Sequence, residues 1–136
     1  MLVYKVVGRK HRYGSNASIY LYKFGLDVFE RMLDEYPQLK PYFPKYLKGS
    51  IVKSVESSIG ILCFWDKKDA EQFRCSYAEL SGEHTVIIEV DGIGYPTEPS
   101  VVMRGCGYIK TFLEKHPTMT EAPYGSVCFK AVEVLQ

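Results

Sequence analysis

The first residues whose types could support chemistry are cations near the start of the chain. Phosphate recognition needs a guanidinium fork together with small residues that let the backbone approach an anion closely. One predicted loop holds both, as Arg9, Lys10, His11 and Arg12 followed by Gly14, Ser15 and Asn16. This loop is therefore predicted to bind an anion. The alternative interpretation is a solvated basic turn between two strands.

A second basic segment, with aromatic residues between its lysines, follows later in the chain. Aromatic rings can stack on bases while the lysines beside them neutralise phosphates. Together with the first loop it predicts a surface that binds a nucleotide or a nucleic acid. The predicted ligand-binding residues are Arg9, Lys10, Arg12, Ser15, Asn16, Lys40, Tyr42, Lys45, Tyr46 and Lys48. Because prolines surround the aromatic residues, a packed loop is the alternative.

Two further features are candidates for catalysis. Glu89 and Asp91 are two apart on a predicted strand, so both carboxylates point to one face, where they could act as acid, base or ribose anchor. Cys106 lies between two glycines and would need His84 or His116 as a base to act as a nucleophile. The alternatives are a solvent-facing strand edge for the acids and a buried apolar role for the thiol.

No residue pattern predicts a resident cofactor or a metal. The four cysteines are far apart, without a CxxC pair, and the three histidines are scattered. The sequence therefore predicts neither a zinc site nor a redox dithiol.

The elements that position these residues follow from hydrophobic periodicity. Strands are predicted over 2–7, 18–24, 51–55, 61–65, 85–90, 100–103 and 126–135. The last of these should contain a bulge near Ala131 and Val132, because its two halves alternate out of phase. A helix that begins near Asp27 and ends at Pro37 is predicted from apolar residues at helical spacing, and a short one is predicted over 108–113.

The stretch GILCFWDKKDAEQFRC, residues 60–75, changes character halfway. Its apolar run is typical of a strand that is covered on both faces. Asp66 and Asp69 suit the first turn of a helix, and Ala70, Phe73 and Tyr77 share one side of it. We therefore predict a strand followed by a packed helix, with Phe73 buried. The turn lacks a glycine-rich phosphate loop, which argues against dinucleotide or P-loop chemistry there.

Length and composition indicate one globular domain. The chain has 136 residues, of which 46% are hydrophobic and 24% charged. Short connections favour a mostly antiparallel sheet, so we predict a single α+β domain over residues 1–136, with about six strands and two or three helices. A cytoplasmic location without membrane contact is expected, since there is no secretory signal and no apolar run of about 20 residues.

Charge is divided unevenly along the chain. Residues 1–53 hold ten Lys and Arg against four Asp and Glu, a net charge of +6, and residues 54–136 hold seven against twelve, a net charge of −5. This division predicts an anion-binding half or a head-to-tail contact between molecules. The alternative is that the division disappears because the two halves interleave in space. With eleven tyrosines suited to interfaces, the uneven charge also favours a homodimer, the commonest symmetric assembly. A monomer whose tyrosines cap its own core is the alternative.

The overall layout resembles a family of small uncharacterised proteins found in phages and prokaryotic genomes. The resemblance rests on the early YKVV strand, GILCFWDKKDAEQF, TVIIEVDG and the terminal PYGSVCFKAVEVL. The chain also distantly resembles ADP-ribosyltransferase-like folds, in which a first strand, a G-I-x-x-F strand followed by a helix, and a later acid-bearing strand surround NAD. That resemblance implies an NAD-using transferase, with Tyr4 and Glu89 near the family's first-strand and acidic positions.

These observations lead to two hypotheses of different classes. The first is a small accessory protein, of phage or mobile-element type, that binds an anionic ligand or a protein partner through its basic N-terminal half. The second is an ADP-ribosyltransferase-like enzyme. The first hypothesis places the ligand at the basic loop, and the second places NAD beside Glu89.

Overall fold

The structure is a computed structural model that describes residues 1–14, 26–56, 58–76, 85–103 and 119–136. Within these residues the helices are α1 (Leu26–Glu35), a 3-10 helix (Pro37–Tyr42) and α2 (Lys67–Ser76). The strands are β1 (Leu2–Gly8), β2 (Ile51–Lys53), β3 (Ile61–Phe64), β4 (Thr85–Ile93), β5 (Val101–Met103), β6 (Met119–Glu121), β7 (Ser126–Phe129) and β8 (Ala131–Val134). This confirms the predicted α+β fold.

Six of the strands form one antiparallel sheet, in the order β2-β8-β4-β1-β3-β7. Its longest ladder joins β1 to β4 over seven pairs, from Leu2 opposite Asp91 to Gly8 opposite Thr85. β5 and β6 pair separately. The predicted sheet of about six strands is therefore confirmed.

The sheet curls until it closes on itself. β7 and β8 lie far apart in the strand order, although Lys130 alone separates them in sequence. Thr97, which follows β4, pairs with Cys128 of β7 through two backbone hydrogen bonds of 3.0 and 2.7 Å. The predicted long strand is thus interrupted at Lys130, just before the expected bulge, because its halves pair with different strands.

Alternate residues of the strands fill the inside of the curled sheet. The ring of Phe129 lies over Gly92, where a Cβ atom would come within 2.5 Å of the ring carbons, so any larger residue would have to displace the ring. Most of the inward side chains are aliphatic, which is the composition expected for a dry core. The main members of this inner core are Val3, Val7, Tyr46, Val52, Ile61, Cys63, Ile88, Val90, Val127, Phe129, Val132 and Val134.

Helix α2 covers the outer face of the sheet. Ala70 and Phe73 are buried, as predicted, and the ring centroid of Phe73 is 5.2 Å from that of Phe64 on β3. Every residue of β3 is buried, which confirms that this strand is covered on both faces.

Other predicted elements differ in detail or cannot be compared. Helix α1 begins at Leu26, so that Asp27 lies in its first turn. Pro37 ends this helix and starts the 3-10 helix, which contains Pro41. The predicted strand over 18–24 and the helix over 108–113 lie outside the described residues, as do Tyr77 and the candidates Ser15, Asn16, Cys106, His84 and His116.

Candidate functional site

The basic loop that follows β1 is held in an uncommon backbone conformation. The Gly8 N–H donates a hydrogen bond to the Tyr13 carbonyl at 2.6 Å, which closes the loop. Within it, His11 and Arg12 have φ angles of 62° and 54°, in the left-handed region that residues other than glycine seldom adopt. Such residues cost stability and are concentrated at functional sites.

Backbone pairing brings the two predicted basic segments together. Tyr13 and Lys45 form an antiparallel bridge. On either side of it, the Gly14 N–H donates to the Pro44 carbonyl at 3.0 Å and the Tyr46 N–H donates to the Arg12 carbonyl at 2.9 Å. Residues far apart in sequence are therefore neighbours on one surface, as the anion-binding hypothesis requires.

The cations of this surface are largely open to solvent. Arg9, Lys10, Lys45 and Lys48 are exposed and Arg12 is half-buried. We call these five residues the basic surface. They lie around the loop, its paired strand segment and the turn before β2, and Lys45 also lines a groove beside β2.

Several cations of the basic surface have partners other than carboxylates. The Lys45 ammonium lies 5.0 Å from the centroid of the Tyr13 ring. The Arg9 guanidinium donates to the Thr85 carbonyl at 3.4 Å, and that of Arg12 donates to the Gln136 carbonyl. Among the described residues no carboxylate side chain forms an ion pair with Lys45 or Lys48. Their positive charge is therefore not neutralised at short range there.

Three predicted ligand-binding residues are less accessible to a ligand, because they are buried, half-buried or paired with a carboxylate. Tyr46 is 0% exposed and belongs to the inner core, which corrects the prediction that its ring stacks on a ligand at the surface. Lys40 forms an ion pair with Asp34 at 3.6 Å. Tyr42 is half-buried at the end of the 3-10 helix. Base stacking is thus less well supported than phosphate contact.

Glu89 is half-buried on the outer face of β4, directly opposite Tyr4 on β1. Its backbone is bonded to the C-terminal residues: its N–H donates to Gln136 Oε1 at 3.1 Å, and its carbonyl accepts from the Leu135 N–H at 3.0 Å. Asp91, two residues on, forms an ion pair with the amino group of Met1. Gln136 therefore contacts both Glu89 and Arg12, whose guanidinium binds its carbonyl.

Sequence reasoning missed a charged residue inside the inner core. Lys5 lies between Val3 and Val7 on the inward side of β1 and is 3% exposed. Its ammonium donates to the Leu62 carbonyl at 2.8 Å and lies 5.4 Å from the centroid of the Tyr46 ring. Strict alternation along LVYKVV was the signal: it places Lys5 with the two valines that the core requires.

Burial controls the titration of the groups around Lys5. Desolvation lowers the pKa of the Lys5 ammonium, and nearby Cys63 and Cys128 act against that shift. Desolvation also raises the pKa of the Cys63 thiol to about 12 and that of Cys128 to about 11. These thiols are therefore protonated at neutral pH, which is the state of an inert core cysteine rather than a nucleophile.

A cavity of about 400 Å³ lies beside the start of α2. Trp65 Nε1 donates to Glu98 Oε1 at 3.2 Å in its wall, and Asp66, Asp69 and Tyr124 also line it. Both aspartates are accounted for by the positive end of the helix dipole.

No group of three or more His, Cys, Asp or Glu side chains in the described ranges is arranged to hold a metal ion. None of the helices there has the length and hydropathy needed to span a bilayer. No protein family model, curated protein or solved structure matches the chain.

Proposed function

We propose that this chain is a small cytosolic accessory protein that binds the phosphate backbone of a nucleic acid through the basic surface. The observation that carries the proposal is the antiparallel bridge between Tyr13 and Lys45, which unites the two basic segments. An extended polyanion fits this geometry better than a single nucleotide, because the exposed cations are spread over the loop, its paired segment and the turn before β2.

The strained loop supports the same proposal. Two consecutive left-handed residues, His11 and Arg12, are held where glycine would cost less. Their conformation turns the chain sharply between β1 and the segment that pairs with Lys45. A ligand that contacts these two side chains would account for a histidine and an arginine at positions where glycine would cost less stability.

Binding should rest on charge rather than on base recognition. Since Tyr46 is buried in the core, the surface offers few rings for stacking. Affinity should then depend little on base sequence and should fall steeply with salt, because cations released from the phosphates drive association.

The double variant Lys45→Ala/Lys48→Ala tests the proposal. We expect it to bind a single-stranded oligonucleotide at least about tenfold more weakly at low salt and to flatten the salt dependence. The matched control is Lys67→Ala/Lys68→Ala, which removes the same charge from the exposed first turn of α2. Fluorescence anisotropy over a salt series measures both. Equal losses in the two variants, or no binding by the parent at low salt, would contradict the proposal.

The enzyme hypothesis keeps one supporting observation: Tyr4 and Glu89 face each other across the β1–β4 ladder. Incubation of the protein with labelled NAD and a cell lysate tests it. The binding proposal expects no transfer of label. Transfer that is lost in Glu89→Gln would instead support an ADP-ribosyltransferase.

Homodimer formation stays a prediction from the uneven charge and the tyrosine content. A binding surface of five cations would gain affinity for a long polyanion if it were presented twice.

A further inference from the structure

Strand β2 has an open edge among the described residues. It stands first in the order β2-β8-β4-β1-β3-β7, so β8 covers one of its sides. Ser50 and Ser54 are bonded toward β8: the Ser50 carbonyl accepts from the Val134 N–H at 2.9 Å, and the Ser54 N–H donates to the Lys130 carbonyl at 2.8 Å. Since antiparallel ladders alternate, the backbone groups of Ile51 and Lys53 point to the open side.

An apolar groove of about 400 Å³ runs along this edge. Pro41 and Pro44 form a wall that carries no N–H donors, while Leu47 and Ile51 are 52% and 59% exposed. Natural edge strands are commonly guarded against pairing, because an exposed apolar edge is a template for another strand. Strand addition by an extended peptide requires unpaired backbone groups with solvent-exposed apolar side chains beside them, and this edge offers both.

Charge identifies the kind of segment that fits. Lys45, Lys48 and Lys53 are exposed around the groove, and neither Lys48 nor Lys53 forms an ion pair with a described carboxylate. Glu133, the one carboxylate of the neighbouring strand β8, is half-buried. A second copy of this chain paired edge to edge would bring like lysines together, which costs free energy. An acidic segment would be attracted.

We propose that the edge of β2 binds an extended acidic segment of a partner protein as an added strand. Its backbone pairs with Ile51 and Lys53, its apolar side chains enter the groove beside Leu47, and its carboxylates lie among the lysines. This surface is distinct from the Arg9–Arg12 loop, and only its border, Lys45 and the nearby Lys48, is shared with the basic surface.

The test uses an acetylated and amidated hexapeptide of alternating glutamate and valine, titrated into the ¹⁵N-labelled full chain. We expect saturable shifts of the Ile51 and Lys53 amide signals and slower exchange of these two protons. The same peptide N-methylated on alternate amides should bind at least about tenfold more weakly, because removing one well-formed backbone hydrogen bond weakens binding by about that factor.

Two protein variants complete the test. Ile51→Ala should weaken binding of the hexapeptide by about tenfold or more, the usual loss for an apolar anchor, while Ile51→Val should retain binding. Arg9→Ala should leave the hexapeptide unaffected and weaken oligonucleotide binding, so the two proposals can fail separately. Equal binding of the N-methylated peptide, shifts confined to residues 9–12, or no shift at millimolar peptide would overturn the inference.

Discussion

Replacing Phe73 by alanine should lower the free energy of unfolding by about 3–5 kcal/mol, the range for deletion of a buried phenyl ring. Phe73 is 8% exposed and belongs to the cluster that joins α2 to the sheet. Its ring packs against Phe64, and the surrounding strand residues Val6, Leu62 and Ile87 are fixed in the sheet. They cannot move far to fill the space, so a cavity should remain.

Urea denaturation of the parent and Phe73→Ala proteins measures this loss. The midpoint should fall while the slope stays constant, because the same surface is exposed on unfolding. Lys68→Ala is the matched control: it changes an exposed residue of the same helix and should stay within about 0.5 kcal/mol of the parent.

A loss below about 1 kcal/mol for Phe73→Ala would mean that α2 does not pack on the sheet as described, because exposed substitutions alone give values that small. A lower slope would indicate instead that the native state had loosened.

Local pattern was sufficient to predict β1, β3, β4 and α2, whereas β6 and the 3-10 helix were not predicted from it. The β-branched and aromatic residues of β1, β3 and β4 fixed these strands, and two acids before an apolar stripe fixed α2. In each case the signal lies within about ten residues of chain, over which the periodicity of a strand or helix acts directly.

The closure of the sheet was not predictable in the same way. One segment, residues 126–134, pairs with β3 in its first half and with β4 and β2 in its second. The change of phase in its hydrophobic alternation indicates where the strand is interrupted. Which strands pair with each half, however, depends on contacts across the whole chain. The position of β2 at an open edge follows from the same long-range order.

Only part of the candidate site was predicted, because the rest likewise depends on long-range pairing. Clustering of cations in sequence indicated the loop, and its pairing with Lys45 followed from the fold. Tyr46 differed because its segment alternates: Lys45 points outward, so the next side chain enters the core. Residue types alone could not distinguish a surface tyrosine from a core tyrosine.

The second large effect concerns Lys5, whose ammonium is enclosed by the inner core. β1 and β3 are paired at one position only, Tyr4 opposite Phe64. Beyond this pair, the Lys5 ammonium donates a hydrogen bond to the Leu62 carbonyl. One hydrogen bond and the face of the Tyr46 ring replace the hydration of a charge. Burial of an unpaired cation at such a position costs several kcal/mol, about half of a typical domain's stability.

Lys5→Met should therefore raise the free energy of unfolding at pH 6 by about 1–4 kcal/mol. Methionine keeps the unbranched shape and fills irregular space in cores, so little cavity should form. The unpaired Leu62 carbonyl opposes this gain by about 1 kcal/mol. Lys48→Met, at an exposed lysine, is the matched control and should have little effect.

The gap in stability between Lys5→Met and the parent should narrow as the pH rises. Burial lowers the pKa of Lys5 in the folded protein, whereas in the unfolded chain it is about 10.4. Between those two values the unfolded state holds more protons, so the parent gains stability with rising pH, and its disadvantage is fully present only below the folded pKa. Cys63 and Cys128 act in the opposite direction above about pH 8.5, because burial raises their pKa values, but they do so in both proteins and cancel in the difference.

Urea denaturation of both proteins from pH 6 to pH 10 measures the gap. A gap that stays constant over this range would show that Lys5 remains charged, and a Lys5→Met protein less stable than the parent at pH 6 would show that its contacts with Leu62 and Tyr46 outweigh the loss of hydration.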